Sequence, residues 1–90
     1  MNLGYKVEYT KEAVKQIKKL DKKMRMRIVN WIDDRLINCS NPRLWGGALV
    51  GELSGLWKYR IGNFRLICEI QDAKLTVLVV ELGHRKEVYE

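Results

Sequence analysis

Ninety residues suffice for one small domain, and a hydrophobic fraction of 47% is ordinary for a globular chain, which argues against disorder. Seventeen Lys and Arg against eleven Asp and Glu leave a net charge of +6, which points to an anionic partner. No apolar run approaches the roughly 20 residues of a membrane span, and the opening residues lack the apolar stretch of a signal peptide, so a cytoplasmic protein without membrane contact is expected. One histidine and two cysteines, Cys39 and Cys68, give no metal-binding spacing, so neither a metal nor another cofactor is expected.

Leu3, Tyr5, Val7 and Tyr9 alternate with Gly4, Lys6 and Glu8, the pattern of a strand with one buried face. Thr10 then suits an N-cap, with Glu12 in the first turn where the helix dipole favours it. A helix over about 11–20 gathers Ala13, Ile17 and Leu20 on one side and leaves Lys11, Lys15, Lys18 and Lys19 as a solvated face. Asp21 can cap a second helix over about 22–38, in which Met24, Ile28, Ile32 and Leu36 recur at every fourth position. The link between the two is too short for anything but an antiparallel helical hairpin, whose apolar side must cover a sheet.

Residues 38–55 read as irregular. Pro42 ends the helix, four glycines punctuate the segment, and Leu44, Trp45, Leu49 and Leu53 are expected to pin it to the domain. From Trp57 to Ile61 large apolar and cationic residues alternate, and Gly62-Asn63 signals a two-residue hairpin turn. Such a loop fixes the register. Ile61 opposes Phe64, Arg60 opposes Arg65, Tyr59 opposes Leu66, Lys58 opposes Ile67 and Trp57 opposes Cys68. One face carries Trp57, Tyr59, Ile61, Phe64, Leu66 and Cys68, a core face; the other carries Lys58, Arg60, Arg65 and Ile67.

Two directly opposed arginines repel, which works against the fold. They either splay into water or form an anion site, for which phosphate is the natural ligand of paired guanidinium groups. A further strand runs over 75–82. With Asp72-Ala73 as its loop, Leu75, Val77 and Val79 join the core face, Val80 opposes Arg65, and Leu82 and His84 extend the cationic face. The open face then shows Ile67, Leu78 and Val80 beside the cations, and a partner is expected to cover them. The order is strand, two helices, then three strands, an α+β domain over 1–90 with both helices on one face of the sheet.

The inventory of that open face is Lys58, Arg60, Arg65, His84, Arg85 and Tyr89, with Glu69 further along. There is no Walker-type loop, Ser-His-Asp order or paired-carboxylate motif. The set suits metal-free RNA cleavage, which needs a base for a ribose 2′-OH, cations for the crowded phosphate and an acid for the leaving 5′-oxygen. Arginines serve the second need, and histidine is the side chain that exchanges protons near neutral pH.

At WKYRIGNFRLI (57–67) and ELGHRKEVY (81–89), with the Leu49-x-Gly51 step before them, the chain resembles the RelE/ParE superfamily of toxins from type II toxin–antitoxin pairs. The resemblance covers essentially the whole chain. It implies the small microbial-ribonuclease-like RelE fold, a cognate antitoxin and, for the RelE branch, an mRNA interferase that enters the ribosomal A site and cuts mRNA by 2′-OH attack. The ParE branch instead inhibits DNA gyrase without nuclease activity. Carried over residue by residue, the RelE pattern makes Lys58, Arg65, Arg85 and Tyr89 catalytic, with Lys58, Arg60, Arg65 and Arg85 binding RNA. His84 is expected to share the acid–base work. Arg60 departs from the pattern, because guanidinium cannot act as a base. Val50 stands where some members have another arginine.

Overall fold

The computed structural model describes residues 4–84. Five strands, β1 (Lys6–Tyr9), β2 (Gly47–Ala48), β3 (Trp57–Ile61), β4 (Phe64–Gln71) and β5 (Thr76–His84), form one sheet in the order β1-β5-β4-β3-β2. The helices α1 (Lys11–Lys18) and α2 (Lys22–Arg35) fall between β1 and β2. The architecture is the expected α+β arrangement, with one further two-residue strand, β2, in the segment read as irregular.

Both helices begin where the capping residues place them. The Thr10 side chain accepts from the Ala13 backbone N–H at 3.1 Å, and Asp21 Oδ1 accepts from Met24 N–H at 2.8 Å. Each thereby satisfies a donor that the first turn leaves without a helical partner. They end earlier than their apolar spacing suggests. After Leu36 the chain turns back through Asn38, which holds a left-handed backbone (φ 65°), to bond β1's approach: Asn38 N–H donates to Tyr5 O, and Tyr5 N–H to Cys39 O.

The core lies between helices and sheet. Ala13, Ile17, Ile28, Ile32 and Leu36 from the helical side meet Tyr59, Ile61, Leu66, Cys68, Val77, Val79 and Leu82 from the sheet. Hydrophobic burial of this kind contributes about 25 cal/mol per Å². β1 pairs parallel with β5, Val7 beside Val77 and Tyr9 beside Val79, and the helical hairpin leads the chain from β1 at one edge of the sheet toward β2 at the other.

The β3–β4 hairpin has the register derived from its turn, residue for residue. Gly62 holds φ 59°, as a type II′ turn requires of its first central residue. The next hairpin differs. Its loop is longer than Asp72-Ala73: Gln71 pairs with Thr76 around a 3₁₀ turn over Asp72–Lys74, and Leu75 closes it in the left-handed region (φ 47°). Leu75 is consequently 40% exposed instead of joining the core.

Two residues of extra loop preserve the alternation of faces, but a bulge then reverses it. Cys68 pairs with Val79 while Ile67 pairs with Glu81, so Val80 has no partner opposite. Beyond that point every β5 side chain changes sides. Leu82 opposes Leu66 and is buried in the core, Gly83 rather than Val80 opposes Arg65, and His84 opposes Phe64.

Candidate functional site

Lys58, Arg60 and Arg65 share the face of the sheet turned away from the helices. The pairing places Gly47, Lys58, Ile67 and Glu81 in one row across four strands, and Arg60, Arg65 and Gly83 in the next. Lys58 is half-buried and Arg60 exposed, but Arg65 is 93% buried. A guanidinium so far withdrawn from water is uncommon in a protein surface. Ile67, expected to lie open beside the cations, is buried as well, as is Thr76. Ile67 and Leu49 are buried outside the main core cluster, as is Pro42.

The segment over 42–53 lies against Lys58 and Arg65 on this side of the sheet. Ala48, Leu49, Val50, Glu52 and Leu53 line a cleft of about 480 Å³ together with Lys58 and Arg65. A smaller hollow of about 300 Å³, lined by Gly46, Gly47, Lys58 and Arg60, lies on the other side of Lys58. Lys58 therefore stands between two concavities, with one arginine bordering each. Val50 is 85% exposed at the mouth of the larger one.

Aromatic side chains of β3 hold this segment in place. The Tyr59 hydroxyl donates to Pro42 O at 2.6 Å in a buried site, and Trp57 Nε1–H donates to Trp45 O at 2.7 Å. Gly46 (φ 79°) lets the chain pass directly over the Lys58 carbonyl, where a Cβ would collide with it. Arg43 clamps the outer end with two bonds to the Asp72 carboxylate, 3.0 and 3.1 Å, and Asp72 also accepts from the Tyr5 hydroxyl at 2.6 Å. The Arg43 and Tyr5 hydrogen bonds hold the Asp72 carboxyl below the usual carboxylate range. Trp45 is thus an anchor as expected, whereas Leu44 is 68% exposed and pins nothing.

His84 does not extend the cationic face. It lies opposite Phe64 on the helix-facing side of the sheet, and its ring meets the Phe64 ring edge-on at 5.4 Å. The same reversal brings Glu81 onto the cationic side, one row from Arg65. The sequence gives no local signal for this carboxylate, since only the unpaired Val80 puts it there. Arg85 and Tyr89 lie outside the described residues. Among the described residues no three His, Cys, Asp or Glu side chains group as a metal site would require, and no helix is long and apolar enough to cross a membrane.

A helical hairpin packed on one face of a five-stranded sheet is a fold shared with solved proteins. The toxin–antitoxin complex RelBE2 from Mycobacterium tuberculosis contains a chain that superposes with a TM-score of 0.82 at 28% identity, covering 93% of this chain and 94% of that one. The isolated Escherichia coli RelE toxin shares the fold, with a TM-score of 0.71 at 22% identity over 90% of this chain and 84% of that one. In sequence, Toxin RelG of M. tuberculosis is 29% identical over 87 residues, 97% of this chain and 98% of that protein. Toxin RelE of the same organism is 28% identical over 85 residues, 94% and 86% of the two chains. The chain belongs to the family described as the ParE toxin of the parDE type II toxin–antitoxin system, whose model matches residues 7–89. It is a type II toxin of the RelE/ParE superfamily, a group in which toxins are solved repeatedly in complex with an antitoxin.

Proposed function

We propose that the protein is a ribosome-dependent mRNA endonuclease, a cytoplasmic toxin that inhibits translation until its cognate antitoxin covers the cationic face. The observation that carries this reading is the grouping of Lys58, Arg60 and Arg65 on one face, at two clefts separated by Lys58. In the proposed reaction the ribose O2′ attacks the adjacent phosphorus in the ribosomal A site, the P–O5′ bond breaks, and a 2′,3′-cyclic phosphate and a 5′-hydroxyl result. Arg65 and Lys58 hold the phosphate oxygens as negative charge builds, and Arg60 binds the neighbouring backbone. By resemblance Arg85 joins the phosphate grip and Tyr89 stacks on a base or orients the scissile phosphate. His84 retains an acid–base role only if substrate reaches the Phe64 side of the strand end. The scheme routes no step through a metal ion.

The second reading, inhibition of DNA gyrase without nuclease activity, is favoured by the ParE description of the matching family model. Induction followed by analysis of mRNA, protein synthesis and DNA separates the two. Cleaved message bearing 2′,3′-cyclic phosphate ends, with translation lost, is the expected result. Arg65→Ala should slow cleavage by roughly 10²-fold or more, and Arg65→Lys should rescue only in part, since an ammonium cannot grip two oxygens in a fixed fork. Tyr89→Phe should separate stacking from a hydroxyl role, and His84→Gln should cut with near wild-type rate if the histidine keeps to the Phe64 side. Products ending in 3′-hydroxyl and 5′-phosphate would overturn the chemistry. DNA breaks, with toxicity undiminished by Arg65→Ala, would assign the protein to gyrase.

A further inference from the structure

The two concavities beside Lys58 are chemically unlike. The smaller is lined by Gly46, Gly47, Lys58 and Arg60, glycines and cations alone. The larger, of about 480 Å³, joins Lys58 and Arg65 to four apolar residues, Ala48, Leu49, Val50 and Leu53, and to one carboxylate, Glu52. Its volume lies in the range of about 300–1,000 Å³ typical of small-molecule sites, which are mostly apolar with a few polar groups that fix orientation. A phosphate needs only the first kind of lining. An apolar wall shared with cations and a carboxylate fits a larger group, with an apolar body, a phosphate at one end and hydrogen-bond donors at another.

Glu52 is held in that wall by its turn. Leu49 N–H donates to Leu56 O at 3.0 Å and closes the loop just before β3. Within it Ser54 N–H donates to Gly51 O, and Leu56 N–H to Leu53 O, both at 3.1 Å. Leu49 is buried beneath the turn, and Gly51, with φ 71°, supplies its left-handed step. Glu52 itself is exposed, and the ion pairs among the described residues, Lys6–Glu8 and Arg43–Asp72, do not include it. An ionised carboxylate only accepts hydrogen bonds, and it repels phosphate. At a cleft that receives RNA it favours binding where it meets a donor-bearing edge of the nucleotide.

We propose that the larger cleft is a subsite for one unpaired base of the RNA strand, and that Glu52 reads the Watson–Crick edge of that base and selects guanine. The inference rests on the proposed cleavage, which is what brings RNA to Lys58 and Arg65. Single-stranded RNA is read through such edges once its bases are unstacked. Guanine offers two adjacent donors, N1–H and the N2 amine, to the two oxygens of one carboxylate. Adenine and cytosine each set their amine beside a ring nitrogen that accepts, and uracil sets its N3–H between two carbonyls. A carboxylate therefore meets a repelling lone pair in all three. Ala48, Val50 and Leu53 supply the apolar surface for the base, while Lys58 and Arg65 take the phosphate of the same nucleotide.

The test is an NMR titration of the full chain, read at the Leu49, Val50 and Leu53 methyls, with guanosine, inosine and adenosine 3′,5′-bisphosphates, none of which the toxin can cut. Inosine differs from guanosine only in lacking the N2 amine. The wild type should bind the guanosine form roughly tenfold more tightly than the inosine form, the worth of one hydrogen bond to a charged group. Glu52→Gln should abolish that ratio and favour adenosine, whose N1 acceptor and N6 donor match an amide. Lys58→Gln should weaken all three alike. Equal binding of guanosine and inosine forms by the wild type, or a ratio unmoved by Glu52→Gln in a variant that circular dichroism shows to be folded, would overturn the proposal. Methyl shifts with arginine amide and with no nucleotide would overturn it too, and give the cleft to a cationic protein side chain. A short 2′-O-methyl RNA strand with a single guanosine among uridines should lose affinity on exchange of guanosine for inosine. Selectivity confined to the free bisphosphate would overturn the assignment to RNA. A chain that selects guanosine but cuts no message would refute the nuclease reading and leave the subsite standing, and cleavage without any guanosine–inosine difference would do the reverse.

Discussion

Arg60 and Arg65 oppose one another across β3 and β4 with one guanidinium exposed and the other almost fully withdrawn from solvent. Directly opposed residues have Cβ atoms about 5 Å apart. At that distance two unit charges repel by about 0.8 kcal/mol in bulk water and about 3 kcal/mol at an effective dielectric of 20. Arg60 is free to lean outward into screened solvent, which brings the cost toward the range of about 0.2–1 kcal/mol known for cross-strand pairs. Replacing Arg60 by Gln keeps length and polarity and removes the charge. The isolated toxin should then become more stable by about 0.2–1 kcal/mol, raising Tm by roughly 1–8 °C for a chain of this size. The gain should shrink as salt is added, because the repulsion it relieves is screened within about 10 Å at 0.1 M. Inorganic phosphate should raise the Tm of the wild type more than that of Arg60→Gln, since only the wild type presents two guanidinium groups. Thermal unfolding followed by circular dichroism, with and without about 10 mM phosphate at a constant ionic strength of roughly 0.1 M, measures all three effects. A variant that is less stable than the wild type, with equal phosphate shifts in both, would refute the view that opposed arginines are kept at a cost to stability for an anion.

Three other outcomes test the fold around the site. Leu82→Ala should cost about 2–5 kcal/mol by chemical denaturation, because the bulge puts Leu82 in the core; a loss under about 0.5 kcal/mol, as for an exposed residue, would place it on the open face. Tyr59→Phe should cost about 1–3 kcal/mol by leaving the buried Pro42 carbonyl without its donor, and faster proteolysis within 42–53 should accompany it; unchanged stability would mean that the hydroxyl does not hold the loop. The depressed Asp72 carboxyl binds its proton more weakly folded than unfolded. Its contribution is therefore present above the ordinary aspartate range near 4 and is lost as pH falls through and below it. Asp72→Asn should flatten that part of the stability–pH curve, and an unaltered curve would remove the Arg43–Asp72–Tyr5 cluster from the account.

Legibility in the sequence followed the range of the signal. Thr10, Asp21 and Gly62 act within three residues of themselves, and the helix starts and the hairpin register fell where these residues put them. Lys58, Arg60 and Arg65 could be assigned to one face because a two-residue loop leaves only one pairing. The second hairpin had no such constraint. Its turn closes through Leu75 in a left-handed conformation that costs a branched residue energy, and nothing local announces it. The bulge at Val80 is a tertiary compromise. It lets Val77 and Val79 face the helices before it and Leu82 after it, an apolar set whose spacing no unbroken strand can bury on one side. Missing that single unpaired residue put His84 on the wrong face and concealed Glu81. The burial of Arg65 and Ile67 was equally out of reach, because alternation along a strand assigns a face but not how deeply that face is covered.

The charge map gives the two faces different physical tasks. Outside residues 11–27 the chain is neutral, so the field of Lys58, Arg60 and Arg65 is offset within the same half of the molecule by residues such as Glu52, Glu69 and Glu81. Glu52 lines the larger cleft itself. A field balanced in this way is felt at contact distance, where a partly desolvated guanidinium acts most strongly, and it decays quickly beyond. It suits a phosphate already in place and is poor at drawing one from solution. The unbalanced helical band has the opposite properties, a field that reaches to the Debye length and attracts any polyanion without selecting a sequence. Removing helical lysines should therefore lower the rate at which the toxin associates with its target and make that rate less sensitive to salt, with the chemical step untouched. Removing Arg65 should do the reverse. Stopped-flow association and single-turnover cleavage on the same pair of variants distinguish the two, and equal effects of both changes on both steps would show that the faces do not divide the work.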